Sequence, residues 1–287
     1  MKKNAKRFSA LLVAAAFFLM LPVSAVSAPV AENMELTTYR GISVGGQLVA
    51  VTPDGGSVSF AVTTEPSKGT VELNENGSFV YTPRENSRGR DYFGYRATDA
   101  DGQQSREATV IIRLCRQRRN LRYADTFGMS CDYAAHKLAD AGLFTGSTML
   151  GNALFEPERT VSKGEFLSLC MACADRQLLT AVESTGYEDD GELKAWLKPY
   201  VATALFDGIQ ADSARADAYS PILPSECAEI MNRCFGFSTV TVKAEESQSK
   251  ANLRACGLWD TAFDREEPMT RSDAAIMLVK AMELRKK

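Results

Sequence analysis

Gly151-Asn-Ala-Leu-Phe-Glu-Pro-Glu-Arg-Thr-Val-Ser162-Lys163-Gly-Glu165-Phe166 joins two amphipathic stretches through a loop that ends in a helix start. Ser162 and Glu165 have the S-x-x-E spacing of a capping box, in which the hydroxyl accepts from the third helical amide and the carboxylate reaches back to the N-cap amide. Apolar residues follow at helical spacing, at Phe166, Leu169, Cys170 and Cys173. A single box of this kind implies no more than a well-begun helix.

The device recurs twice, and recurrence is stronger evidence than a single motif. Pro221-Ile-Leu-Pro224-Ser-Glu226 precedes Cys227, Ile230, Met231 and Cys234, and Pro268-Met-Thr270-Arg271-Ser-Asp273 precedes Ala274, Met277, Leu278 and Ala281. Aligned on the acid, Phe166, Cys227 and Ala274 share one core position, Leu169, Ile230 and Met277 the next, and Cys170, Met231 and Leu278 lie beside them. Upstream of each start is a helical stretch that stops at a glycine, Gly142, Gly208 or Gly257, followed by Leu143, Ile209 or Leu258. Glycine there supplies the left-handed C-cap.

This pattern of aromatic-x-Asp, helix, Gly-Leu/Ile, Phe-x-Pro loop and capped helix resembles the S-layer homology domain, in three copies over residues 123–178, 184–238 and a shortened 244–287. Tyr123-Ala-Asp125 and Tyr187-Glu-Asp189 open the first two. The resemblance implies an all-α triple repeat with pseudo-threefold helix packing. Its inter-repeat grooves are expected to hold an anionic secondary cell-wall polysaccharide, commonly bearing a pyruvate ketal. In such domains an arginine at the first helical position meets the sugar carboxylate together with the free N–H groups and positive dipole of the helix N-terminus. Arg271 matches that arginine, Lys163 replaces it with a cation that lacks the bidentate fork, and Pro224 removes the charge from copy two. Ser162 and Thr270 keep the cap and Leu223 does not, while Glu165 and Glu226 keep the acid and Asp273 shortens it. The expected ligand contacts are therefore Lys163, Arg271, Ser162, Thr270, Glu165 and Asp273, with copy two mainly structural.

Residues 31–114 have an all-β texture. Thr70–Asn74 and Ser78–Thr82 flank Glu75-Asn76-Gly77, the strongest short-range hairpin signal. Further strands are expected at 47–51, 57–63, 91–98 and 108–114, with Val110, Ile112 and Leu114 on one face. Several short strands between turns predict an immunoglobulin-like sandwich. The run Lys68-Gly-Thr-Val-Glu-Leu, then Gly77-Ser-Phe-Val-Tyr-Thr-Pro83, then Arg90-Asp-Tyr-Phe-Gly-Tyr-Arg-Ala-Thr-Asp99-Ala-Asp101-Gly102 resembles bacterial cadherin-like, Ig-like repeats, which commonly serve as spacers. Relatives often bind calcium. Asp99, Asp101 and Asp54 are the acids available for it here, fewer than the six or so oxygens calcium takes, so the competing reading is turn aspartates.

Residues 115–122 read as a basic linker, the stretch Arg113–Arg122 holding five arginines in ten residues. It is either a solvated connection or a basic hinge attracted to an anionic wall polymer. Of the seven cysteines, Cys170 and Cys173 fall on the core face and well inside a helix, so a redox pair with a dipole-lowered pKa is not expected. Buried small hydrophobes or structural disulfides remain open for Cys131, Cys170, Cys173, Cys227, Cys234 and Cys256. The single histidine, His136, is expected on a helix surface and has no ligand-spaced partners, so no metal or cofactor is expected. With one histidine and no phosphate loop, catalysis has little to work with, and Glu188-Asp189-Asp190 reads as a solvent-facing acidic loop rather than a glycosidase pair.

Residues 1–28 read as a targeting segment. Lys2, Lys3, Lys6 and Arg7 precede an apolar core from Phe8 to Val23, with cleavage after Ala25 or Ala28 and Pro29 favouring the former. That core is shorter than the roughly 20 residues a spanning helix needs. A net charge of -3 argues against nucleic acid as partner. The sequence thus implies a non-enzymatic exported protein of the cell surface, held to the wall by its repeats. The alternative is a surface assembly module whose degenerate repeats contact other proteins instead of glycan.

Overall fold

The alternating pattern of the N-terminal part becomes two facing sheets in the computed structural model, which describes residues 27–285 except 54, 211–212 and 241–245. The targeting core, the Ala25 cleavage site and Asp54 lie outside the described residues. Strands β1 (Val30–Ala31), β2 (Met34–Tyr39), β3 (Val44–Gln47), β4 (Ala50–Val51), β5 (Val58–Thr64), β6 (Gly69–Leu73), β7 (Ser78–Pro83), β8 (Gly89–Asp99) and β9 (Ala108–Cys115) follow in order. One sheet runs β2-β9-β8-β5, the other β3-β7-β6, and β1 pairs with β4. Strand β2 lies parallel to β9, whereas the remaining ladders of the two larger sheets are antiparallel. The β6–β7 hairpin turns through Asn76-Gly77, with Gly77 at φ +81° and the Asn76 carboxamide oxygen accepting from the Ser78 amide.

Between the sheets Phe79 meets Phe93 edge to face at 5.2 Å, and Tyr81, Tyr95, Val110 and Ile112 are fully buried. The expected single strand at 47–51 is split into β3, which pairs with β7, and β4, which pairs with β1. Asp91 is buried in this domain at 1% exposure. It accepts from the Ser67 amide and hydroxyl, the Lys68 amide at 2.8 Å and the Tyr81 hydroxyl at 2.8 Å, tying β8 to β7 and to the turn before β6.

The C-terminal half contains α1 (Asp132–Asp140), a short hairpin of β10 (Ser147–Met149) and β11 (Asn152–Leu154), α2 (Lys163–Cys173), α3 (Lys198–Phe206), α4 (Pro224–Phe235), α5 (Gln248–Ala255) and α6 (Arg271–Leu284). The hairpin corrects the all-α expectation. It immediately precedes Phe155-Glu156-Pro157, and Tyr123 bridges to Ala153 of its second strand. Helices α1, α3 and α5 each end as the glycines imply. Gly142, Gly208 and Gly257 have φ of +75°, +66° and +70°. The next amide, of Leu143, Ile209 or Leu258, returns to the carbonyl of Leu138, Ala204 or Leu253.

The chain just before α2, α4 and α6 closes a ring. The Val161 amide donates to Met269 O at 2.9 Å, Met269 to Ile222 O at 2.9 Å, and Ile222 to Val161 O at 3.0 Å. These residues are 5%, 0% and 0% exposed, so each buried amide and carbonyl finds its partner on the equivalent segment. Gly164 sits beside this ring with no room for a Cβ, which would lie 2.7 Å from the Leu197 side chain.

Two expectations fail where the halves meet. His136 is not on a helix surface. It is 1% exposed, stacks edge-on against Tyr123 at 4.9 Å and places Nδ1 3.1 Å from the Asp132 carboxylate. Asp132 also accepts from the Thr126 hydroxyl at 2.6 Å and from the Ser43 amide at 2.9 Å, across the seam between the halves. The basic linker is not a free connection either, since β9 runs on to Cys115 and the Arg118 and Arg119 amides bind the Asp140 carboxylate. At this seam Gly45 approaches Ser130 so closely that a Cβ would lie 2.6 Å from that side chain.

All seven cysteines are free thiols, and Cys131, Cys170, Cys173, Cys227 and Cys234 are buried as core residues. Burial pushes the Cys131 thiol up to about 11 and the Cys173 thiol to about 12, away from reactivity. Among the described residues, no helix is long and apolar enough to cross a membrane.

The buried carboxylates make acid stability predictable. Burial alone would raise Asp91, Asp140 and Asp189, but the hydrogen bonds they accept outweigh it and hold all three below the usual carboxylate range. A carboxyl depressed in the folded state contributes stability that is full above about pH 5 and lost as pH falls through its folded value. Thermal melting should therefore drop on acidification below that point, and Asp91→Asn should flatten the profile. Asp91→Ala, which orphans two amides and the Tyr81 hydroxyl, should cost about 3 kcal/mol in urea unfolding at neutral pH. A loss under about 1 kcal/mol would show the Asp91 network to be dispensable.

Candidate functional site

The helix starts are positioned by their caps. Ser162 and Glu165 form the reciprocal box at α2, with 3.2 Å and 3.1 Å hydrogen bonds, and Thr270 and Asp273 form the one at α6. At α4 only half survives, because Leu223 has no side-chain acceptor while its amide still donates to Glu226 at 2.9 Å. The first two helical amides of α2, from Lys163 and Gly164, donate to Ser220 O and Ala218 O, at 2.9 and 2.7 Å. Those of α6, from Arg271 and Ser272, donate to Arg159 O and Pro157 O, both at 2.9 Å. These amides are thus spent on the neighbouring unit's loop. The expected anion cradle of free N–H groups at the helix tips is absent, because the packing that closes the ring consumes it.

The tips instead border grooves. Groove one, of about 340 Å³, is lined by Phe144, Phe155, Glu165, Ser168, Leu169, Trp196, Tyr200 and Arg271, among others. Groove two, of about 280 Å³, has Lys163, Ile209, Arg215, Ala216, Asp217, Glu226, Glu229 and Ile230. Lys163 holds in groove two the place Arg271 holds in groove one, as do Glu226 for Glu165 and Ile230 for Leu169. Arg271 and Lys163 therefore share no cleft. Of the six expected contacts, only Arg271 and Glu165 come together, in groove one. Ser162 and Thr270 act as caps, and Asp273 is engaged by Thr270 and by the Arg265 guanidinium.

The two grooves share a scaffold that the aromatic-x-Asp motif builds. Asp125 accepts from the Phe155 and Glu156 amides at 2.9 and 2.7 Å, and Asp189 from the Ala216 and Asp217 amides at 2.8 and 3.0 Å. Both turns hold their second residue in the left-handed region, Glu156 at φ +57° and Asp217 at φ +48°. Such strain persists only where surrounding bonds fix it. Asp189 is accordingly 4% exposed, and Asp190 is held to about 2 by Lys198 and Thr185. These two members of the acidic triplet serve the fold, correcting the reading of a solvent-facing loop.

Charge distinguishes the grooves. Lys163 is neutralised by Glu226 at 2.6 Å. Arg271, its side chain 12% exposed, donates to Phe155 O at 2.9 Å, lies 3.3 Å from Glu156 and covers the Phe144 ring at 5.0 Å. Burial lowers its pKa, as does the neighbouring Arg159, against the pull of Glu156 and Glu165. Glu156 is held below its ordinary value by the Ser147 hydroxyl and then by Arg271 and Arg159. The same groove is lined by Trp196, 52% exposed and 6.4 Å from Tyr200. An exposed indole lining one groove with a guanidinium and a carboxylate offers an apolar ring face and polar groups together, which suits a sugar. Sequence reading missed Trp196, Tyr200, Phe144 and Glu156. The available signal was the aromatic pair at i, i+4 around Pro199, too polar in context to be core.

In the β half, Asp99 spends its carboxylate on the turn, accepting from the Asp101 and Gln103 amides at 3.1 and 2.8 Å.

Residues 27–114 match the family model described as Bacterial cadherin-like domain, and the match ends before the helical half. No curated protein matches the chain. Similar solved structures include an endo-fucoidan hydrolase of glycoside hydrolase family 107, at 17% identity over 33% of this chain and 14% of that one with a TM-score of 0.26. The sialic acid binding region of a Streptococcus sanguinis adhesin aligns at 20% identity over 34% of this chain and 31% of that one, TM-score 0.24. Fibronectin(III)-like modules of Clostridium thermocellum CbhA align at 17% identity over 33% and 51%, TM-score 0.24. The chain spans between 14 and 51% of the length of these structures, and scores at this level carry no functional argument. The N-terminal part of the chain, residues 27–114, is a bacterial cadherin-like domain.

Proposed function

We propose that the helical half is a triple S-layer homology region with pseudo-threefold packing, which holds an exported protein on the cell wall by binding an anionic, pyruvylated secondary polysaccharide. The reading is supported by the closed ring of Val161, Ile222 and Met269, the three equivalent glycine caps, and the paired Asp125 and Asp189 turns. The observation that carries it is groove one, which exposed Trp196 and Arg271 line together. In this reading a pyranose ring lies on the indole while its carboxylate meets Arg271, displacing part of the Glu156 contact, and in groove two the Lys163 cation stays engaged by Glu226. The cadherin-like domain serves as a rigid base for the grooves, and no catalytic step is assigned.

Purified protein should co-sediment with isolated wall sacculi and be released when the polysaccharide is stripped. Trp196→Ala should weaken retention about thirtyfold, equivalent to about 2 kcal/mol, as expected for a central aromatic anchor. Arg271→Lys, which keeps the charge and loses the fork, should weaken it less than Arg271→Ala. Substitution at Lys163 or Pro224 should change little. Retention by the Trp196 variant equal to that of the native protein would remove groove one from the mechanism. Sedimentation that survives stripping would favour a protein partner instead.

A further inference from the structure

The arginine run after β9 is held in a fixed course. The Arg40 amide donates to Cys115 O at 3.0 Å, the Arg118 and Arg119 amides donate to the Asp140 carboxylate at 3.1 and 2.7 Å, and the Arg122 guanidinium donates to Arg40 O at 2.9 Å. Asp140 is also bound by the Tyr39 hydroxyl at 3.0 Å. The Asp140 carboxylate is thus occupied by backbone and phenol, and the positive charge of Arg118 helps to hold its pKa down without a direct ion pair. Arg116, Arg118, Arg119 and Arg122 are exposed, and among the described residues none of them, nor Arg40, has a carboxylate within ion-pair distance. A net charge of -3 makes this concentration of unpaired cations a local feature, and a short segment pinned by its backbone presents them at little entropic cost.

We infer that this strap is a polyanion-binding surface, separate from the grooves, that takes a linear wall polymer carrying one phosphate or carboxylate per repeat. Guanidinium groups suit both, since each oxyanion can accept two parallel N–H bonds. The location of the polymer in the wall rests on the anchoring proposed above. The charge chemistry does not.

The test uses the full exported chain with fluorescent polyphosphate and, separately, oligogalacturonate, followed by anisotropy at about 50 mM salt and upward. Binding should weaken steeply with salt, and the Arg116→Gln/Arg118→Gln/Arg119→Gln variant should lose about tenfold in affinity and flatten the salt dependence, while melting normally. Arg271→Ala should leave this binding intact, so that loss of the groove reading and loss of the strap reading are told apart. Binding of polyphosphate alone assigns the strap to phosphate, of oligogalacturonate alone to carboxylate, and of both to charge density. Undiminished binding by the triple variant, no binding of either polymer by the native chain, or tighter binding of duplex DNA than of both would overturn the inference.

Discussion

Three backbone hydrogen bonds, cycling from Val161 to Met269 to Ile222 and back, decide how the helical half can be used. Each contributes only about 1 kcal/mol net, but leaving any of these buried groups unpaired would cost more than the bond returns. The ring therefore fixes the three capped starts side by side. Loop carbonyls of the adjoining unit then fall onto the first helical amides of α2 and α6. The helix tips cease to be anion sites, and the grooves beside them become the places where side chains meet water.

Equivalent scaffolds carry unequal chemistry. Asp125 and Asp189 build the same turn and hold its second residue in the same left-handed conformation, yet groove one gains an exposed indole and a guanidinium, while groove two gains the tight Lys163–Glu226 pair. At the third junction Pro224 brings neither an N–H nor a charge. Its ring is tolerated because the first helical turn has no internal partner for that amide.

The two halves meet through polar contacts of unusual depth. Asp132, 2% exposed, joins the Ser43 amide of the β half to Thr126 and His136 of the helical half, and the Tyr133 amide returns to Ser43 O. Gly45 allows the backbones to approach Ser130 without a side chain between them. Truncating Asp132 would strand donors on both sides, so the seam is maintained by hydrogen-bond satisfaction as much as by apolar burial.

The sequence by itself determined the local structure: the Asn76-Gly77 hairpin, the alternating faces of β7 to β9, the capping boxes at Ser162 and Thr270, and the glycine stops at Gly142, Gly208 and Gly257. These depend on neighbours a few residues away, whose hydrogen bonds and φ angles are set by residue type alone. The fate of His136, the occupation of the α2 and α6 tips, the separation of Lys163 from Arg271 and the arrival of Trp196 and Arg271 in one groove were decided only by the tertiary structure. Each depends on which distant carbonyl, carboxylate or ring is brought within a few ångströms by packing, and that information is carried by the closure of the ring and the seam rather than by any short stretch of chain.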